Sequence, residues 1–422
     1  MIGEFFSRLK LVATDHELRR KVLFIFFILA VFRALAAIPV PGVDASRLAA
    51  FFADSQLLSI FNLFSGGGLS AFSLVALGVG PYITASIILQ LATMMFPRLK
   101  EMYHEEGQSG RRRFAQYARV ATVPIAALQA VGIIKLLESQ QVLPALSGSA
   151  LAITVVAMVA GSVFLMWLGE LISEFGIGNG VSIIIFAGIV AGLPQAVTQL
   201  QLAYDPSQLP SYLVFGALAI ATVLGVVAVT EAERPIPVAH ARQVIGGRSA
   251  GPTYVPIRLN QAGVMPIIFA LSIMLVPRLL ASAFAASSHG WLVTISDWSR
   301  ALTENQWLYG VFYFLLVVAF TFFYTAVTFE PDTMAKNLQR SGAFVPGVRP
   351  GEATAEHIGK IVARTTAVGA VFLGLVAILP LVASGATGVQ QVYLGGTGLL
   401  IVVNVVTDAI KRLDGQITMR QY

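Results

Sequence analysis

The residues best suited to chemistry in this 422-residue chain are few and far apart. Histidine can act as an acid, a base or a metal ligand, but His16, His104, His240, His289 and His357 are scattered through polar stretches and no two have ligand spacing. Cysteine is absent, which removes thiol nucleophiles, disulfides and thiolate-held metals at once. No G-x-S-x-G turn presents a serine, and no Walker-type loop could cradle a nucleotide phosphate. The charged residues nearest apolar sequence are Arg33, Glu170, Glu174 and Asp408, all towards the ends of apolar runs. Ionisable groups in mid-membrane mark proton and ion paths, and here the middles of the runs are almost free of them. Neither an enzyme nor a cofactor is expected from such a set.

The elements that would position these residues follow from composition. Hydrophobic residues make up 56% of the chain and charged residues 12%, against a charged share of about 25% in soluble domains. This points to an all-α polytopic membrane protein. A span needs about 20 apolar residues. Ten stretches qualify: Val22–Ile38, Phe72–Phe96, Tyr117–Leu137, Leu151–Ile172, Val181–Gln199, Tyr212–Thr230, Ala262–Ala281, Trp307–Phe329, Ile361–Ala383 and Tyr393–Ile410. The first lacks a small-residue cleavage site, so it reads as a span rather than a signal peptide. With the N-terminus inside, all of the 28 lysines and arginines fall on the cytoplasmic side except Arg33, Arg47, Lys135, Arg278 and Arg300. The positive-inside rule then places both termini in the cytoplasm.

Dividing the chain at the uncharged loop 203–211 leaves five spans in residues 1–202 and five in 212–422. An odd number per half turns the second half upside down relative to the first, an arrangement in which the working path lies between the halves. Three segments do not fit simple spans. Gln56–Ala71, QLLSIFNLFSGGGLSA, is too short to cross a bilayer and too apolar for an ordinary loop. It reads either as an interfacial helix or as a re-entrant helix buried in protein, with Gly66, Gly67 and Gly68 as a hinge. The loops 231–260 and 330–359 are cytoplasmic, basic and long, rich in Pro and Gly and without evident structure. Length of that kind suits docking of a cytosolic partner.

Seven stretches, in order, resemble the SecY family of protein-translocation channels. They are IPVPGVD (Ile38–Asp44), FNLFSGGGLSAFSLVALGVGPYITASIILQL (Phe61–Leu91), EEGQSGRRRFAQYAR (Glu105–Arg119), FLMWLGELISEFGIGNGVSIIIFAGIVAGLP (Phe164–Pro194), LNQAGVMPIIFA (Leu259–Ala270), SGAFVPGVRPGE (Ser341–Glu352) and YLGGTGLLIVV (Tyr393–Val403). The resemblance implies ten transmembrane helices in two inverted five-helix halves around an hourglass pore, with a short re-entrant plug helix. It assigns the mid-membrane constriction to Val79, Ile83, Ile185, Ile268 and Ile401, a ring of aliphatic side chains that gates by dewetting. It assigns the plug to about 57–69, with Ile60, Phe61, Leu63, Phe64 and the three glycines. Gln90 and Asn260 match polar positions of a lateral gate between the second and seventh spans, either paired across it or each satisfied locally. Arg242, Arg248, Arg340 and Arg349 match the surface that docks the SecA motor ATPase or the ribosome. The resemblance also implies the small membrane subunits SecE and SecG, signal-peptide-bearing preproteins as substrates, and lipid at the gate of a bacterial plasma-membrane protein. Two departures are visible: the loop from Glu231 reads EAERPIPVAHARQV, less basic than in many relatives, and the sequence stops at Tyr422 without a basic tail.

The residues alone leave one other reading. Inverted halves also suit a secondary transporter of a small solute, although the uncharged span interiors weigh against ion coupling.

Overall fold

The computed structural model of the chain describes residues 15–40, 48, 62, 65–104, 106–139, 141–202, 206–240, 253–284, 290–387 and 396–421. The N-terminal half contains α1 (His16–Ala36), α2 (Gly80–Met95), α3 (Pro97–His104), α4 (Gly107–Ser139), α5 (Gly148–Phe175) and α6 (Gly180–Leu202). There follow α7 (Leu209–Glu231), β1 (Glu233–His240), β2 (Thr253–Arg258), α8 (Met265–Phe284) and α9 (Gly290–Glu304). The chain continues through α10 (Gln306–Thr328), α11 (Pro331–Arg340), β3 (Ala343–Phe344), α12 (Glu352–Thr387) and α13 (Gly396–Gln421). Each of the ten apolar stretches lies wholly or in part on one helix: α1, α2, α4 to α8, α10, α12 and α13.

The helix ends have local causes. The Asp15 side chain accepts from the backbone N–H groups of Glu17 and Leu18 at 2.8 and 3.2 Å, capping α1. Asn305 caps α10 in the same way, accepting from Trp307 and Leu308 at 3.1 and 3.2 Å. Between α2 and α3 the path bends by 115°. Pro97 cannot donate to the preceding turn, and α3 carries Arg98, Lys100 and Glu101, so the bend takes the chain out of apolar surroundings.

The second span starts later than its apolar run. Residues 72–79 are turns, not helix, and α2 begins only at Gly80. Val40 N–H donates to the Phe72 carbonyl at 2.8 Å and Leu74 N–H to the Ile38 carbonyl at 3.1 Å, giving this stretch a backbone partner in 38–40. Phe72 has φ +43° and Gly78 φ +58°, values that a helix does not permit. On the other side the Ser162 hydroxyl donates to the Gly78 carbonyl at 3.0 Å, and Gly161 lets the Leu74 carbonyl press against α5.

The described parts of the two long loops, 231–240 with 253–260 and 330–359, also hold regular structure. β1 pairs antiparallel with β2, from Glu233 opposite Arg258 to Val238 opposite Thr253. β3, from the second loop, pairs with the end of β1 at Ala239–Phe344 and His240–Ala343. Ile236, Ile257, Val345, Ile358 and Val362 form a buried cluster beneath this sheet. Both loops therefore belong to one body whose floor is the N-terminal part of α12. The prolines hid these strands from a sequence reading. Pro235 faces Pro256, and neither can donate, so their pair cannot exchange hydrogen bonds. Antiparallel strands alternate bonded and non-bonded pairs, which leaves the Arg234–Ile257, Ile236–Val255 and Val238–Thr253 pairs to carry the ladder.

The packing order of the first five spans recurs in the second five. α1, α2 and α4 each lie against α5, α2 also lies against α4, and α6 lies against α5 and α1. Correspondingly α7, α8 and α10 each lie against α12, α8 also lies against α10, and α13 lies against α12 and α7. Among the described residues the two sets also meet each other, α8 lying against both α2 and α4, and α6 against α13.

Candidate functional site

Five aliphatic side chains, carried by four helices and the N-cap of one of them, belong to the largest buried cluster among the described residues. Val79 sits at the N-cap of α2 and Ile83 one turn inside it; Ile185 lies on α6, Ile268 on α8 and Ile401 on α13. Their exposures are 1%, 6%, 1%, 5% and 1%. Because the apolar groups offer no hydrogen bonds, water gains nothing by standing among them.

Beside this cluster is a cavity of about 280 Å³. Ile185, Ile268 and Ile401 line it, together with a polar set from both halves: Asn179, Ser182, Thr230, Asn260, Asn404 and Asp408. Val79 and Ile83 belong to the cluster but do not line the cavity. The polar groups are organised. Thr230 donates to the Asn404 side-chain carbonyl at 3.1 Å, and Asn404 donates to the Leu400 carbonyl at 3.1 Å. Lys411 pairs with Glu231 at 2.9 Å and Arg412 with Asp408 at 2.8 Å. The cavity thus grades from ion pairs, through amides, to an aliphatic side. An extended polypeptide could keep its backbone hydrated along the polar walls and meet only non-directional contacts at the aliphatic end. Asn404 was not singled out from sequence; its signal is a lone amide one turn beyond Ile401 in GLLIVVNVV.

Of the proposed plug, Ile60, Phe61, Leu63 and Phe64 lie outside the described residues. Gly66, Gly67 and Gly68 form a packed turn. Gly66 and Gly67 have φ +68° and +82°, and a Cβ at Gly66 would lie 2.5 Å from the Phe32 ring. The Asn62 side chain accepts from Ser70 N–H at 2.8 Å, and its backbone carbonyl accepts from Gly67 N–H at 2.9 Å. Arg33 donates from Nη1 to the Gly66 carbonyl at 2.6 Å. The guanidinium that looked out of place at the end of the first span therefore binds the backbone of the glycine turn.

Gln90 lies on α2 and Asn260 five residues before the start of α8, and no hydrogen bond among the described residues joins them. Asn260, 6% exposed, donates to the Gly263 carbonyl at 3.2 Å, a local bond. The side-chain carbonyls of both residues accept nothing from the protein; that of Asn260 belongs to a residue lining the cavity, where water can serve it. Arg340 ends α11 and Arg349 follows in the same loop, both exposed. Arg242 and Arg248 lie outside the described residues. The described residues contain no group of three or more His, Cys, Asp or Glu placed to hold a metal ion.

Residues 73–410 match the family model described as SecY. Curated relatives named protein translocase subunit SecY include that of Escherichia coli, 43% identical over 417 residues, covering 96% of this chain and 93% of the relative. The Pseudomonas aeruginosa relative is 42% identical over 416 residues, covering 96% and 92%. The Thermus thermophilus relative is 40% identical over 434 residues, covering 100% and 97%. Among solved structures, one described as a protein-conducting channel superposes with a TM-score of 0.64 at 18% identity, covering 92% of this chain and 90% of that one. The Sec61 chain of a canine ribosome–channel complex superposes with a TM-score of 0.61, also at 18% identity. At that identity the likeness is one of fold.

Proposed function

The chain belongs to the SecY family, and from that premise we infer that it is the protein-conducting channel subunit of a bacterial plasma-membrane translocase. It passes unfolded, signal-bearing polypeptides across the membrane and releases membrane segments sideways into lipid. The pore is passive: SecA or the ribosome supplies the energy, and SecE and SecG complete the membrane complex. The relatives are translocase subunits, and nothing in them favours the transport of a small solute.

The observation that carries this reading is the aliphatic end of a polar cavity shared by both halves. We assign Val79, Ile83, Ile185, Ile268 and Ile401 to the constriction, and the segment ending in Gly66–Gly68 to the plug beneath it. The seam of α2 with α8, bearing Gln90 and Asn260, is the lateral gate. The joined loops 231–260 and 330–359, with Arg242, Arg248, Arg340 and Arg349, form the docking surface for motor or ribosome. Residues 1–202 and 212–422 are the two inverted halves, hinged at 203–211, with both termini in the cytoplasm on the evidence of the basic residues.

The absence of native cysteine makes the test direct. A cysteine is placed at Ile83 and, as a control, at exposed Ser149 in separate variants. Each is reconstituted with SecE, SecG and SecA, and a preprotein carrying one cysteine is stalled partway. An adduct at position 83 that requires ATP and moves with stall length is expected. Motor binding without any adduct at 83 would remove the constriction from the proposed place.

A further inference from the structure

α9 arranges its faces in a way that water does not favour. Its hidden face is small and polar: Ser296 and Ser299 are each 1% exposed, with Leu302 beside them at 4%. Its outward face carries Trp291 and Trp298, exposed to 64% and 63%. Their separation is two helical turns, which puts both indoles on one side. Thr294, between them, is exposed as well. Indole has an apolar body and a single N–H donor, and it prefers the boundary between hydrocarbon and water.

What covers this face is indicated by where the chain goes next. Asn305 alone separates α9 from α10 and caps the latter. In the first turn of α10, Trp307 is 79% exposed, and exposed Val311, Leu315 and Phe322 continue from it at helical spacing. On a membrane-spanning helix such a stripe faces lipid. The two indoles of α9 are thus continuous with the rim of a lipid-facing surface. Asp297 and Arg300, both exposed on the same short helix, keep it too polar to sink further.

We propose that α9 lies in the headgroup zone of the outer leaflet, where Trp291 and Trp298, with Trp307, bind phospholipid and hold the outer end of α8 at a fixed depth. α9 packs along α8 and also touches α10, so movement of α8 away from α2 carries the indoles through the headgroups. Headgroup packing then becomes part of the resistance to gate opening. That consequence rests on α8 being the gate helix, as argued above; the lipid contact does not.

The test reads the resting protein, without motor or substrate, so it can fail while the channel reading stands, and the reverse. The full chain with its small membrane subunits is reconstituted in phosphatidylethanolamine–phosphatidylglycerol vesicles. Trp167→Phe and Trp307→Phe, in a complex whose small subunits have their own tryptophans replaced by Phe, leave the α9 pair as the only indoles. Lipids brominated near the glycerol end of the acyl chain are expected to quench this emission more than lipids brominated near the methyl end. Acrylamide in the water is expected to quench weakly. Strong acrylamide quenching with none from either lipid would place the pair in water and overturn the proposal. Protection from all quenchers would mean protein covers the pair, and would overturn it equally. Should that variant assemble poorly, the same lipids read the difference between the native chain and Trp291→Phe/Trp298→Phe.

Discussion

At the scale of single residues, the constriction proposed for Ile185, Ile268 and Ile401 would work by what these side chains lack. A polar group among them gives the first water a partner, and a second water follows it. Replacing Ile185 by Ser removes apolar burial of about 1.5–3 kcal/mol and adds a donor at the aliphatic end of the cavity. The expected result is vesicles leaking small anions about tenfold faster or more, since every 1.4 kcal/mol is roughly a factor of ten; Ile185→Val should stay near the native rate. A dye-release assay on resting proteoliposomes checks both. Arg33 acts through geometry instead. Its bond to the Gly66 carbonyl is charge-assisted and worth about 1–2 kcal/mol after allowance for its exposure. Arg33→Leu should therefore speed amide exchange at Gly67 to Ser70 by about tenfold, with the helices unchanged; unchanged exchange would mean that Asn62 and Ser65 hold the turn alone. Neither role could be read from the residues themselves. An isoleucine in the ring looks like any other isoleucine in a span, and the assignment came from resemblance. Arg33 stood out as a charge near an apolar run, yet its partner is a backbone carbonyl 33 positions away, which side-chain patterns do not encode.

At the scale of elements, hydropathy made the helices legible and concealed the rest. Ten apolar runs gave ten helices because a helix satisfies its own backbone in lipid. The same signal misplaced the start of α2, since an apolar run cannot distinguish a helix from turns whose hydrogen bonds go to a neighbouring strand. It also missed the sheet, whose strands are broken by Pro235, Pro237 and Pro256. The alternation was present nonetheless: Ile236 and Val238 are each 4% exposed while Pro235 and Pro237 face out. Pairing of β1 with β3 joins the described parts of the two long loops into one surface, so a partner would meet them as a unit. Cysteines at Ala239 and Phe344, directly opposite across that pair, should join readily on mild oxidation, because facing strand residues lie about 4.5–5.5 Å apart and disulfides span that distance. SecA-driven translocation should survive the bond if the loops dock as one body. A block that reductant reverses would instead show that the loops part during docking. A core change, Ile257→Ala, should loosen both loops together at a cost of about 2–5 kcal/mol, seen as faster proteolysis of each.

For the whole molecule, the recurrence of packing between the two sets of five helices has a mechanical consequence. Among the described residues the two sets meet chiefly along two seams, one where α8 lies against α2 and α4, the other where α6 lies against α13. A pore between two rigid halves can widen by parting one of these seams while the other acts as the pivot. On the α8 side, α2 carries Gln90, whose side-chain carbonyl is buried and accepts nothing from the protein, whereas in the α6–α13 seam a Cβ on Gly398 would fall 3.6 Å from Ile189 in ordinary packing contact. The weaker seam should be the one that opens. Cysteines at Ile189 and Gly398, joined by oxidation, should leave translocation within about twofold of the unlinked protein, since a pivot needs little change in distance. Cysteines at Ile87 and Met265, on α2 and α8, joined by a short bis-maleimide, should stop the passage of a signal-bearing preprotein while motor binding persists. Measured side by side in the same vesicles, the reverse pattern would move the gate to α6–α13 and make α2–α8 the pivot. Loss of transport in both would mean that the halves separate along their whole length.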